Sequence, residues 1–110
     1  MVATEVEIKG IVRSVVSQLE PGIPVSKVIL FGSYAFNSPK KWSDIDIAIV
    51  SPCFSDVPLW RRQELLAESL PKADVRLSPI GYSPEELSNP TTFLREIIRT
   101  GRVVYEAPTE

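Results

Sequence analysis

The sequence predicts an α+β fold, a small mixed sheet of about four strands with helices packed against it. Three observations carry this. Helical and strand periodicities alternate along the chain in the order α-β-α-β-α-β-α-β. The 110 residues suffice for one core, and 44% of them are apolar, as in an ordinary globular protein. Cys53 is the only cysteine, so no internal disulfide forms and a reducing compartment fits.

Ile8, Ile11, Val12, Val15, Val16 and Leu19 recur at helical spacing, which predicts an amphipathic helix from Glu5 to Leu19. Pro21-Gly22 ends it. Val25 to Phe31 reads as a strand, Gly32-Ser33 as a tight turn, and Tyr34 to Phe36 as the first turn of a short helix. Asp44 to Val50 is the second strand. Pro58 opens a helix over Leu59 to Leu70, whose core face carries Leu59, Leu66 and Leu70. Ala73 to Leu77 reads as a third strand. Ser83-Pro84-Glu85-Glu86 is a capped short helix. A last helix opens at Thr91 or Thr92 and stops at Thr100-Gly101, with Gly in the C′ place. Arg102 to Tyr105 is a final strand.

Composition excludes several chemistries. There is no histidine, which removes serine triads, cysteine–histidine pairs and His-ligated zinc. Net charge is −2, so nothing favours avid binding to nucleic acid or an anionic membrane. The N-terminus carries Glu5 and Glu7 and does not resemble a signal peptide, and no uncharged stretch approaches a membrane span. The expected location is cytoplasmic. Cys53 reads as a buried or half-buried small hydrophobe.

What remains is carboxylate chemistry. Of four aspartates, Asp44 and Asp46 sit in an otherwise apolar run that extends to Val50, and Asp74 lies in the third expected strand. Aspartate is a poor strand former and costly to bury without a compensating cation or donor. Alternation places Asp44 and Asp46 on one face, about 6–7 Å apart, while Ile45, Ile47 and Ile49 face the core. Such a pair suits Mg²⁺, with Asp74 as third ligand or base. Gly32 admits a ligand close to the backbone, and Ser33 adds a hydroxyl beside the free N–H groups of a helix start. This combination fits a nucleoside triphosphate and nucleotidyl transfer with pyrophosphate leaving. The plainer alternative for Asp74 is a surface pair with Arg76. Lys40-Lys41 and Arg61-Arg62 read first as solvated charges, Trp42 and Trp60 as packing residues. Tyr34 reads either as a neighbour of the nucleotide or as buried against the sheet.

Gly32-Ser33, then ten intervening residues, then Asp44-Ile45-Asp46 resembles the signature of the DNA polymerase beta-like nucleotidyltransferase superfamily. In particular it resembles the minimal nucleotidyltransferases, the small antitoxin half of HEPN/minimal-nucleotidyltransferase toxin–antitoxin pairs. Asp74 and the closing Gly101-Arg102-Val103-Val104-Tyr105 extend the likeness over most of the chain. The resemblance implies the polymerase beta-like fold over residues 1–110, with 106–110 a flexible tail. It implies Asp44, Asp46 and Asp74 as catalytic carboxylates holding two Mg²⁺, and Gly32 and Ser33 as phosphate contacts. It also implies ATP as donor and a tyrosine of a partner HEPN toxin as AMP acceptor. Family members commonly have Arg-Gly after Gly-Ser-Tyr-Ala, whereas this chain has Phe36-Asn37; Lys40, Lys41 or a partner's arginine are the candidates to replace that cation. The rival readings are an antitoxin that acts by occlusion alone, and a nucleotidyltransferase of small molecules.

Overall fold

The computed structural model describes residues 2–36, 39 and 43–108. Helix α1 spans Glu5–Leu19, as its periodicity predicts. Thr4 caps it: its hydroxyl accepts from the Glu7 N–H while the Glu7 carboxylate accepts from Thr4, satisfying two groups that a helix start leaves free. Strand β1 (Lys27–Phe31) leads into a single 3₁₀ turn at Gly32–Tyr34, and β2 covers Ile45–Val50. Helix α2 spans Leu59–Ser69, β3 Leu77–Tyr82, α3 Pro84–Ser88, α4 Thr92–Thr100 and β4 Arg102–Glu106. Glu106, expected as the start of a flexible tail, instead ends β4, and the Ala107 N–H donates to the Ser26 carbonyl.

The four strands form one mixed sheet in the order β3-β2-β1-β4. β1 is antiparallel to both neighbours, and β2 runs parallel to β3. Ile45, Ile47 and Ile49 of β2 point to one face, where they meet Ile8, Val12 and Val15 of α1 and Leu66 of α2. Ala48 and Ile29 point to the other, covered by Leu94 and Ile97 of α4 and Leu87 of α3. A strand packed on both faces should be apolar throughout. In β2 the one charged residue is Asp46.

Three expectations fail. The third strand begins at Leu77 and not at Ala73. The Asp74 carboxylate accepts from the Arg76 N–H at 2.9 Å, closing an Asx turn, and Val75 is wholly exposed. Alternation in Ala73 to Leu77 mimics a strand, while the real one contains Pro79 and Gly81, two poor strand formers. Pro79 is tolerated because β3 is an edge, and Gln63 of α2 covers that edge with bonds to the Pro79 carbonyl (2.9 Å) and from the Gly81 N–H (3.2 Å). Second, Leu59 and Trp60 of α2 are exposed, whereas Arg62 is buried on the face shared with Leu66 and Leu70. Third, Cys53 is exposed. Gly101 ends α4 as expected, but in extended conformation (φ −81°), so a left-handed cap is not its reason. A Cβ there would lie 2.9 Å from the Leu30 carbonyl and 2.7 Å from Ile29, so glycine lets α4 turn tightly into β4.

Candidate active site

The end of β1, the start of β2 and the start of β3 come together on the α4 side of the sheet. Asp46 is the second residue of β2, half-buried, paired across the sheet with Phe31 on one side and Ser78 on the other. Asp44 lies just before the strand and is exposed. Its charge acts directly on Asp46. Burial first, and then Asp44, push the Asp46 carboxyl above the usual range, while a hydrogen bond with the Ser78 side chain partly offsets them. A half-buried carboxylate with a second carboxylate beside it is an uncompensated electrostatic cost, which a hard divalent cation relieves.

Gly32 follows β1 with φ +73°, the left-handed region. A Cβ at this position would stand 2.4 Å from Asp46 Oδ2. Glycine is thus required twice, by the turn and by the carboxylate lying over it. The turn is pinned from below by Tyr34, which is buried and whose hydroxyl accepts from the Ala3 N–H at 3.0 Å. Of the two readings for Tyr34, burial holds. Ser33 is half-buried between these two residues in the same turn. Lys40, Lys41 and Trp42 lie outside the described residues.

Asp74 does not join Asp44 and Asp46. The Arg76 Nε and Nη2 both donate to it at 2.9 Å, and Arg76 also lies 3.6 Å from Glu7 of α1. Asp74 lines a groove with Glu7, Gly10 and Ser14, on the α1 side of the molecule. Among the described residues no group of three His, Cys, Asp or Glu is placed to hold a metal. The position beside Asp46 on β3 belongs to Ser78, a residue that the sequence does not single out. Its signal is the parallel register, which only the true start of β3 fixes.

The side-chain hydrogen bonds from Arg76 hold the Asp74 carboxyl down at about 2. A pKa lowered in the folded state gives stability that is complete above the unfolded value and lost as pH falls through the folded one. Asp74→Asn is therefore expected to cost about 1 kcal/mol at neutral pH, discounted for partial exposure. The difference from the parent should vanish between about pH 4 and pH 2; urea titrations across that window check it.

The family model described as nucleotidyltransferase domain matches residues 9–104. A Methanocaldococcus jannaschii protein named "Putative protein adenylyltransferase MJ0604" is 38% identical over 84 residues, covering 74% of this chain and 79% of that protein. A crystal structure described as a putative nucleotidyltransferase from Sulfolobus solfataricus superposes with TM-score 0.63 at 19% identity, over 90% of this chain and 77% of the other. A toxin–antitoxin crystal structure with AMP-PNP superposes with TM-score 0.52 at 20% identity, over 90% and 73%. A mutant of the toxin–antitoxin MntA-HpeT gives 0.53 at 19%, over the same shares. These structures share the mixed sheet with its flanking helices. With the glycine turn and the aspartate pair in the place described, and the family model spanning nearly the whole chain, the protein belongs to the nucleotidyltransferase domain family.

Proposed function

We propose that this chain transfers AMP from ATP to a hydroxyl, a tyrosine of a partner HEPN toxin, and so acts as the toxin's antitoxin. The observation that carries the chemistry is the Asp46 carboxylate lying over the left-handed Gly32 turn, with the charge of Asp44 acting on it. The name of the M. jannaschii relative supports protein adenylylation, and the toxin–antitoxin neighbours support the kind of partner.

In the reaction the acceptor oxygen attacks the α-phosphorus, and the bond to the bridging oxygen breaks. Pyrophosphate leaves with that electron pair, and the hydroxyl proton passes to water. Gly32 lets the phosphates approach the backbone, and Ser33 donates to them. Asp44 and Asp46 would hold Mg²⁺, which neutralises the charge gathering on the transferred group when bound. Their donor set fits that ion: two carboxylates, to be completed by phosphate oxygens. The expectation of a second ion leaned on Asp74, which Arg76 occupies here.

The test uses the full chain, its toxin, Mg²⁺ and ATP labelled at the α-phosphate. Label should pass to the toxin and fall by at least on the order of a hundred-fold in Asp46→Ala, whereas Asp74→Asn should stay within a few fold of the parent. Toxin neutralisation that survives Asp46→Ala without any label in the parent would replace catalysis with occlusion. Label incorporated equally without toxin would point to a small acceptor.

A further inference from the structure

Beside the glycine turn lies a slot of about 240 Å³ that the phosphate and metal chemistry leaves unused. Phe31, Phe36, Phe93 and Ile97 form its apolar lining, and Gly32, over which Asp46 lies, lines it too. Phe36 and Phe93 are 61% and 58% exposed, so two aromatic faces stand open to water next to the site. Phe93 is held against Phe31 edge-to-face, with centroids 6.3 Å apart and planes at 88°. Phe31 in turn is the cross-strand partner of Asp46. Carboxylate, glycine turn and aromatic slot thus follow one another without a break along the α4 face.

Two polar residues sit at the rim, and both are engaged. The Thr100 hydroxyl donates to the Glu96 carbonyl at 2.8 Å. The Glu96 carboxylate pairs with Arg99. The slot therefore presents ring faces and hydrocarbon to its occupant, with its polar edge groups turned to partners of their own.

We infer that this slot seats the nucleobase of the donor nucleotide by stacking between Phe36 and Phe93, reading the ring's face and not its hydrogen-bonding edge. The inference rests on the nucleotide reading above and adds to it the residues that hold the base. Two consequences follow from the chemistry. The base must add affinity beyond that of the phosphates, since stacking on an aromatic side chain is favourable for any base. Adenine and guanine must also be accepted to similar extents, because they differ at the edge and not in the face.

Calorimetric titration of the full chain with the Mg²⁺ complexes of ATP, GTP and inorganic tripolyphosphate tests this. ATP and GTP should bind the parent within about three-fold of each other, and each roughly ten-fold or more tighter than tripolyphosphate. Phe36→Ala and Phe93→Ala should each weaken both nucleotides about ten-fold and leave tripolyphosphate unchanged. Phe93→Trp should restore the loss, and thermal melts should confirm that these exposed positions leave the fold intact. Equal binding of ATP and tripolyphosphate by the parent overturns the base slot while the phosphate site stands. More than ten-fold preference for one purine overturns face-only reading. Unchanged ATP affinity in both alanine variants, with label transfer to the toxin lost, assigns the slot to the acceptor instead. A parent that binds none of the three ligands removes the nucleotide reading itself, and the slot's role with it.

Discussion

Gly32→Ala is expected to destabilise the fold by about 2 kcal/mol and to lower transfer by on the order of a hundred-fold. Two costs add. An alanine at φ +73° enters a region that L-residues avoid, and its Cβ would stand 2.4 Å from Asp46 Oδ2. Either the turn changes hand or Asp46 moves away. Both outcomes disturb the spacing between the turn and the carboxylate on which the proposed chemistry depends. A double-mutant cycle separates the costs: in an Asp46→Ala background the collision is gone and only backbone strain remains. Gly32→Ala should then cost less than in the parent, with a coupling of about 1 kcal/mol. Zero coupling in urea titrations would mean that Asp46 does not lie over Gly32.

This pairing of a turn with a strand shows what the sequence discloses. Gly32, Ser33, Asp44 and Asp46 are legible because their oddity is local. An aspartate amid isoleucines, or a glycine after an apolar run, conflicts with its own neighbourhood and needs no partner to be noticed. α1 is legible for the same reason, its apolar stripe and its Thr4–Glu7 box both lying within a few residues. Asp74 is legible only as an oddity. Its placement depends on a competition between a strand and an Asx turn, which the Arg76 side chain decides in favour of the turn. Ser78 is silent in sequence, since a serine in a strand conflicts with nothing; only the register against Asp46 gives it meaning. The aromatic slot is likewise assembled from the stretch 31–36 and from α4, two segments that no spacing rule connects.

Arg62→Ala is expected to be the most destabilising single change outside the apolar core, by about 2–3 kcal/mol. Arg62 is 7% exposed, although in sequence Arg61-Arg62 reads as a solvated pair. The 62, 66, 70 spacing already places it with Leu66 and Leu70 on the inner face of α2, a signal that its charge masks. Its Nε donates to the Val57 carbonyl at 2.7 Å and its Nη1 to the Gly81 carbonyl at 3.1 Å, while Nη1 also meets the Glu86 carboxylate at 2.5 Å. Glu86 in turn accepts from the Ser83 N–H at 2.8 Å at the start of α3. One guanidinium thus ties α2, the end of β3 and the cap of α3 together. Burial alone would push the Glu86 carboxyl up, but the Ser83 and Arg62 hydrogen bonds outweigh it and hold it below its ordinary value. Truncating Arg62 takes this donor from the Val57 and Gly81 carbonyls, and orphaned carbonyls carry their desolvation cost, while the partly exposed Glu86 carboxylate keeps only its Ser83 partners. The melting temperature should fall by on the order of 15 °C, while Arg61→Ala, on the exposed side of the same helix, should shift it by no more than a few degrees. A loss in Arg62→Ala no larger than in Arg61→Ala, measured by calorimetric melts side by side, would show that the buried guanidinium does not hold this side of the fold.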